Sequence, residues 1–453
     1  MTIDIDALRS RVAGRVIVRG DADYDDVRTI LYDPSDSHPA TVVRVRDTKD
    51  TSSVVTFARE TGAELAIRSG GHSGAAHSTT DGGIVIDLRD MKALDIDVET
   101  KTAWAETGLT AAEYTTAAHE QGLATGFGDT GSVGLGGITN GGGIGYLTRK
   151  HGMTIDSVLA AEVVTADGEI RVVDAEHEPD LFWAIRGGAG NVGIVTRFRF
   201  ALQEVGQVYG GMLVLPATPE VIVGFMDAAS AAPEELSGIA NVMSAPPMPF
   251  LPGEVHGTTI VMVLMAYAGD VAQGERALAP FRSLATPLAD MLAPIPYPEL
   301  YPPEDPDYHP VAAAWTGFMD HVSLEDARTM LERIDASDAS LRVVQLRALG
   351  GAMARVPADA TAFAHRDRNI MINVAAFIDE PSQRADREAW VSDLAERLRQ
   401  GPPAAYVNFL GEDGLERIRE AYPGATYDRL AQVKATYDPT NLFRRNQNVA
   451  PAR

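Results

Sequence analysis

Apolar and polar positions change rhythm several times along the chain. Ile194-Val195-Thr196-Arg197-Phe198-Arg199-Phe200 alternates apolar and polar side chains, the two-residue period of a half-buried strand. Short β-branched runs at residues 63–67 and 84–88 predict two more strands. Residues 158–165 and 170–173 read as a hairpin turning at Asp167-Gly168. Asp50 to Thr61 and Ala111 to Gln121 have helical spacing. Residues 1–205 therefore read as an α+β domain. From 206 to 405 the texture shifts to proline-rich connections (Ala245 to Pro252, Pro294 to Pro310), strand-like runs (Thr258 to Ala266, Asn369 to Phe377) and amphipathic helices (Leu324 to Asp335, Gln383 to Gln400). This predicts a second α+β domain laid over the first. Residues 406–453 return to the first domain through helices at Glu412 to Ala421 and Tyr427 to Tyr437, then an irregular polar end.

Length and composition agree with two folded domains sharing a cleft: 453 residues, 45% hydrophobic and 23% charged. A net charge of -24 repels nucleic acid and anionic lipid, so neither is expected as a partner. It also favours a neutral or cationic small substrate over a polyanion. Without any cysteine, disulfides, thiolate metal sites and cysteine nucleophiles are excluded. The opening Met1-Thr2-Ile3-Asp4-Ile5-Asp6 carries acids where a signal peptide needs bases, and no run nears the roughly 18 apolar residues of a membrane helix. The expected compartment is the cytoplasm.

The 42 glycines gather at residues 70–83, 126–152 and 187–193. Adjacent glycines let backbone N–H groups converge on phosphate oxygens. Arg68-Ser69-Gly70-Gly71-His72-Ser73-Gly74 offers such a loop directly after a strand, with a cation at one end. Gly131-Ser132-Val133-Gly134-Leu135-Gly136-Gly137 offers a second, and Asn140-Gly141-Gly142-Gly143-Ile144-Gly145 a third. One such loop is a tight turn; three together suggest a long diphosphate-bearing ligand. Gly188 to Gly193 matches GxGxxG, but an alternating strand follows it where a dinucleotide-binding unit requires a helix.

These segments carry a resemblance. Arg68 to His72 with Asp81-Gly82-Gly83-Ile84-Val85-Ile86-Asp87-Leu88 is similar to the FAD-binding domain of the vanillyl-alcohol oxidase superfamily. Val133 to Gly145, Leu147 to Gly152, Asp180 to Gly188 and Phe443 to Asn448 resemble its berberine-bridge-enzyme-like branch, nearest in look to small bacterial members such as antibiotic-tailoring oxidases. The resemblance implies a two-domain FAD-binding fold with an antiparallel-sheet substrate domain over the flavin. It assigns the cofactor to Arg68, Ser69, Gly70, Gly71, His72 and Ser73; to Thr130, Gly131, Ser132, Val133, Gly136 and Gly137; and to Asn140, Gly141, Gly142, Gly143, Gly145 and Leu147. Gly190, Gly193, Ile194, Val195, Asn446 and Asn448 complete the set. It further implies a bond from His72 to the flavin 8α carbon, the other reading being a phosphate-loop histidine with no covalent bond. Relatives that attach the flavin twice use a cysteine where Thr130 stands, so any link here is single. Val133 matches the position facing the flavin where dioxygen reacts; Ile138 departs from a polar residue found in some relatives.

Tyr406-Val407-Asn408-Phe409 resembles the family's Tyr-x-Asn motif and supplies the catalytic candidates, Tyr406 and Asn408. In a strand both would face one ligand. A phenol with an ordinary pKa near 10 needs a neighbouring cation or the cofactor to act as a base, and a buried tyrosine satisfied by a carbonyl is the other reading. His365 and Arg366 either line the pocket or brace the domain interface. His77, His151, His309 and His321 lack metal-ligand spacing and are taken as structural or solvated, so no metal is expected. The reaction implied is oxidation of a C–H bond next to oxygen or nitrogen by FAD, with dioxygen reduced to peroxide. The alternatives are a dehydrogenase of the same fold and a non-catalytic FAD-binding protein.

Overall fold

The computed structural model describes residues 3–32, 36–303, 305 and 308–453. Met1 and Thr2 of the acidic opening, and residues 304, 306 and 307 of the second proline-rich connection, lie outside the described residues. The first sheet orders its strands Arg15–Val18, Thr41–Arg44, Ile84–Asp87, Leu65–Arg68. The last three run parallel, and Arg15–Val18 pairs antiparallel at the outer edge. Helix Thr48–Thr61 packs on this sheet, begun by Asp47 accepting the Asp50 N–H and ended by Gly62 in the left-handed region at φ 70°. Its buried side chains include Val54, Val55, Phe57 and Ala58.

A second, antiparallel sheet runs Leu94–Asp97, Thr102–Glu106, Ile194–Ala201, Val158–Val164, Ile170–Asp174. The expected hairpin is its last pair, and the alternation read at 194–200 appears as buried Phe198 and Phe200 beside part-exposed Arg197 and Arg199. The helices expected near 111, 324, 383, 412 and 427 are all present, with ends shifted by a few residues. One glycine-rich stretch differs from expectation. Residues 135–141, read as parts of two phosphate loops, form a short helix, closed by the Gly142 N–H on the carbonyls of Ile138 and Thr139.

Among the described residues the middle of the chain builds an eight-stranded antiparallel sheet between Gln207 and Phe377. Helices Pro219–Ala231, Val271–Arg282, Leu324–Ala336 and Arg384–Leu398 cover one face through an aliphatic core that includes Leu213, Phe225, Val242, Val344 and Leu394. The opposite face looks across a cleft toward the glycine-rich loops. Residues 405–449 then fold back, and Ala405, Leu410, Tyr422 and Val449 join the core of the second sheet. No helix among the described residues is long and apolar enough to cross a membrane.

The two halves are joined by buried polar groups. Arg366 donates two hydrogen bonds of 2.8 Å to the carboxylate of Asp156; the arginine is buried and the carboxylate nearly so. His365 bonds the Glu420 carbonyl at 2.8 Å, and burial pushes its pKa down to about 4. Of the two readings of His365 and Arg366, the structure has them as braces; neither lines the cleft. Removing the guanidinium in Arg366→Ala leaves Asp156 buried and unpaired, which costs on the order of 3–5 kcal/mol. The thermal midpoint is expected to drop strongly. Arg355→Ala, which breaks an exposed pair with Glu234, is expected to leave it nearly unchanged in the same scan.

Candidate active site

The parallel strand Leu65–Arg68 delivers the loop 69–78 at its carboxyl end, the usual edge for a ligand on such a sheet. Ser69 locks this loop in place. Its hydroxyl donates to the Thr107 carbonyl at 2.5 Å and accepts the Gly136 N–H at 3.1 Å. At the next residue two backbones touch. A Cβ on Gly70 would lie 2.3 Å from the Gly134 nitrogen, and one on Gly134 would lie 2.1 Å from the Gly70 nitrogen. Beyond it, His72 Nε2 and Ser132 Oγ are 2.9 Å apart, and the imidazole lies edge-on to Tyr32.

These loops form one wall of a cleft of about 1540 Å³. Gly190, Gly193, Ile194, Val195, Arg445 and Asn446 continue that wall; Gln345, Arg347 and Asn373 of the eight-stranded sheet face it. The volume exceeds the roughly 300–1,000 Å³ of ordinary small-ligand pockets, which leaves room for a long ligand and a second molecule beside it. Its wall fits such a ligand. A Cβ on Gly137 or Gly190 would meet no atom within 4 Å, so both glycines open onto the cleft as bare backbone. Asn140 Oδ1 and Asn446 Oδ1, in the same wall, are buried without hydrogen-bond partners. So are both ring nitrogens of His77, whose pKa burial pushes down to about 4.

Tyr406 stands where this wall meets the sheet. Its hydroxyl oxygen accepts the Gly143 N–H at 2.9 Å and the Asn408 Nδ2 at 3.0 Å, and Asn408 also donates to the Ile138 carbonyl at 3.2 Å. Burial raises the phenol's pKa; the two donors and the positive charge of Arg347 oppose that rise. Residues 406–409 do not form the strand assumed from sequence. Tyr406 is extended, and Val407–Phe409 make one 3₁₀ turn. That turn carries Asn408 back onto Tyr406, so the pair meets by a different route. Arg347 bridges the cleft's two sides: it donates to Asp129 at 2.8 Å and to Gln345 Oε1 at 2.9 Å, and lies over the Phe409 ring.

The C-terminal tail closes the cofactor side. Asn446 donates to the Gly190 carbonyl at 3.1 Å, and Gln447 to the carbonyls of Leu410 and Gly411. Lys434, fully buried, holds the tail through the Phe443 carbonyl at 2.7 Å and Asn448 Oδ1 at 3.2 Å. Burial pushes its pKa down to about 8, while Asp438, 3.4 Å away, opposes the fall.

Of the residues assigned from sequence, Ser69, Gly70, Gly71, His72, Ser73, Thr130, Val133, Gly136, Gly137, Asn140, Gly190, Gly193, Ile194, Val195, Tyr406, Asn408 and Asn446 line the cleft. Nine others do not, each for a physical reason. Arg68 is buried against the carbonyls of Val27, Arg28 and Ser78, so its charge braces the loop. Gly131 packs on Ala112 and Tyr301, and Gly145 backs onto the carbonyls of Phe127 and Gly128. Ser132 reaches His72. Gly141, Gly142 and Gly143 wrap Tyr406 and Asn408, with a Cβ on Gly141 falling 1.9 Å from Asn408 Oδ1. Leu147 is fully buried in a hydrophobic cluster, and Asn448 serves Lys434. The sequence reading passed over Gln345, Arg347 and Asn373 and set His77 aside. The first three had a usable signal: polar residues interrupting the apolar strands Arg342–Ala348 and Ile370–Phe377.

Comparison with known proteins supports an FAD-binding domain. The FAD binding domain family matches residues 39–174, and the berberine and berberine-like family matches residues 405–450. The FAD-linked oxidoreductase YgaK of Bacillus subtilis is 30% identical over 98% of each chain. The crystal structure of 6-hydroxy-D-nicotine oxidase from Arthrobacter nicotinovorans superposes with a TM-score of 0.86 at 25% identity, covering 97% of this chain and 98% of that one. Physcomitrella patens BBE-like 1 shares the fold with a TM-score of 0.88 at 21% identity, over 99% of each chain.

Two glycine variants separate fold from cofactor. Gly70→Ala is expected to push the two loops apart and lower both thermal stability and retained FAD. Gly137→Ala adds a methyl group in open space on a helix, where alanine is preferred by up to about 1 kcal/mol. It is expected to keep or raise the stability of the cofactor-free protein while lowering its affinity for added FAD, as read by flavin fluorescence quenching.

Proposed function

The chain belongs to the berberine-bridge-like FAD-linked oxidoreductases, and from that premise we propose that it is an oxidase acting on a C–H bond next to oxygen or nitrogen in a small organic molecule. FAD would be held against the wall of Gly137, Asn140, Gly190 and Asn446, and would supply there a hydride acceptor that dioxygen can reoxidise, with hydrogen peroxide as the product. The observation that carries the reading is Tyr406: a buried phenol at the cleft wall, its oxygen held by two N–H donors and faced by Arg347. Those donors hold the oxygen still and ease its negative charge, as a base in a dry site requires. Tyr406 takes the O–H or N–H proton of the substrate as its C–H bond breaks, and Asn408 keeps the phenol oriented. Half-buried Val133 lines the cleft at the position where the resemblance puts oxygen access, with no bulky side chain to obstruct it.

We also propose that FAD is bound by one covalent link, from the His72 imidazole to the flavin 8α carbon. Support comes from the position of His72 in the cleft-lining loop and from Ser132, which orients the ring through Nε2. Thr130, also on the cleft wall, has no thiol with which to make a second bond.

Acid precipitation tests the link. Yellow colour is expected in the pellet, with the mass of one FAD on the peptide containing His72, and His72→Ala is expected to release the flavin to the supernatant. A protein that never carries flavin would defeat the whole reading. Tyr406→Phe is expected to retain FAD and to lower turnover, measured by peroxide release, by about a hundred- to ten-thousand-fold. Because burial holds the phenol above its ordinary pKa, its base form grows with every step in pH. The kcat/KM of the native protein is therefore expected to be still rising at alkaline pH, and the rise to vanish in Tyr406→Phe.

A further inference from the structure

The eight-stranded sheet has two unlike faces. Helices bury one in aliphatic side chains. The other changes character row by row outward from Tyr406, because opposed residues of antiparallel strands share a face and every second residue along a strand returns to it. The first row is Phe318, Met371 and Arg347. Phe318 and Met371 share a buried cluster with Tyr406, and Arg347 lies over the Phe409 ring. Two residues farther out stand Thr316, Asn373, Gln345 and Asn241. This polar row is mostly turned toward the protein. Gln345 Nε2 donates to Asn241 Oδ1 at 2.9 Å, Thr316 donates to the Ile372 carbonyl at 3.3 Å, and Asn373 Oδ1 is buried.

Beyond it the face turns apolar. Ala314 stands opposite Ala375, and Ala312 opposite Phe377, whose ring centroid is 6.4 Å from that of Tyr308. All of these line the cleft. They are open to contact: Ala314 is exposed, Ala312 and Phe377 are half-buried, and Tyr308 is 52% exposed; only Ala375 is mostly covered. At about 3.3 Å per residue, the strand from Met371 to Phe377 carries this floor roughly 20 Å from the first row. The cleft's charged residues at 384–399 and 412–417 belong to other elements, so the strip itself is uncharged. Apolar residues scattered on a surface are ordinary, but these are contiguous and continue the floor that begins beside the candidate base.

We propose that this strip is the outer half of the substrate site, and that the substrate is an alcohol or amine carried at one end of a long apolar body, a hydrocarbon chain or ring system. This rests on reading the cleft as the chamber of an oxidase. The polar end meets Tyr406, and the body crosses the second row to lie on Ala314, Ala375 and Phe377. Contact with methyl groups and an aromatic ring takes that body out of water. A sugar chain laid along the same strip would meet one side-chain hydroxyl, that of Tyr308, and would lose its own hydrogen bonds to water.

Calorimetric titration of the holoprotein with 1-butanol, 1-hexanol, 1-octanol and 1-decanol tests it, with cellotriose as the sugar probe and the flavin spectrum recorded in parallel. Affinity is expected to rise along the series by up to about fourfold per added CH₂, the value of a fully buried methylene. Cellotriose is expected to bind more weakly than 1-decanol. Ala314→Glu puts a charge on the strip at an exposed position, where the fold tolerates it, and Phe377→Ala removes the ring. Each is expected to flatten the rise for the long alcohols and to leave 1-butanol unchanged, whereas Ala314→Val keeps the rise. An affinity that does not change with chain length, a rise that survives both Ala314→Glu and Phe377→Ala, or tighter binding of cellotriose than of 1-decanol would overturn the strip. If that happened while 1-butanol still shifted the flavin spectrum, the oxidase reading would stand without it. A rise that the two substitutions flatten, in a protein carrying no flavin, would keep the strip and remove the oxidase.

Discussion

Gly70 and Gly134 touch backbone to backbone, and the cleft depends on that contact. A methyl group on either would fall far inside van der Waals contact of the other's nitrogen, so no side chain is compatible with the approach. The contact joins the parallel sheet that delivers residues 69–78 to the segment that begins the helix Leu135–Gly141. Ser69 reinforces it from one side with two hydrogen bonds, and His72 with Ser132 from the other. From this seam the chain runs on to Ile138, whose carbonyl holds Asn408, and to Gly143, whose N–H holds Tyr406. The cofactor wall and the candidate base are thus set by one continuous piece of backbone.

The tail completes the same wall from the far end of the chain. Its position depends on Lys434 and Asp438, a buried pair whose remaining hydrogen bonds all go to the tail's own backbone and to asparagines. An isolated buried charge would be expensive, but here each charge has a partner and several dipoles. The cleft follows the same rule on its substrate side, where Arg347 is matched by Asp129. A chain with a net charge of -24 therefore presents, on the sheet side of the cleft, an arginine whose charge is already matched. Its strongly acidic surface says little about which molecule the chamber accepts.

Local signals in the sequence carried the element types, the α+β class and the grouping of glycines around a long ligand. Hydrophobic period and turn chemistry depend on near neighbours in the chain, and near neighbours are what a sequence displays. The motif segments reached further, from the loop at His72 to the pair Tyr406 and Asn408, which the fold brings to one cleft. What the sequence left undecided was direction. Arg68 lies in a phosphate-loop motif yet turns its guanidinium inward to three carbonyls, and Gly141 to Gly143 serve Tyr406 and not the cleft. Gln345, Arg347 and Asn373 come from strands paired over long separations, and only their register puts them side by side. Which way a side chain points, and which residue it meets, is settled by packing between distant segments; a chain's linear order holds no record of that.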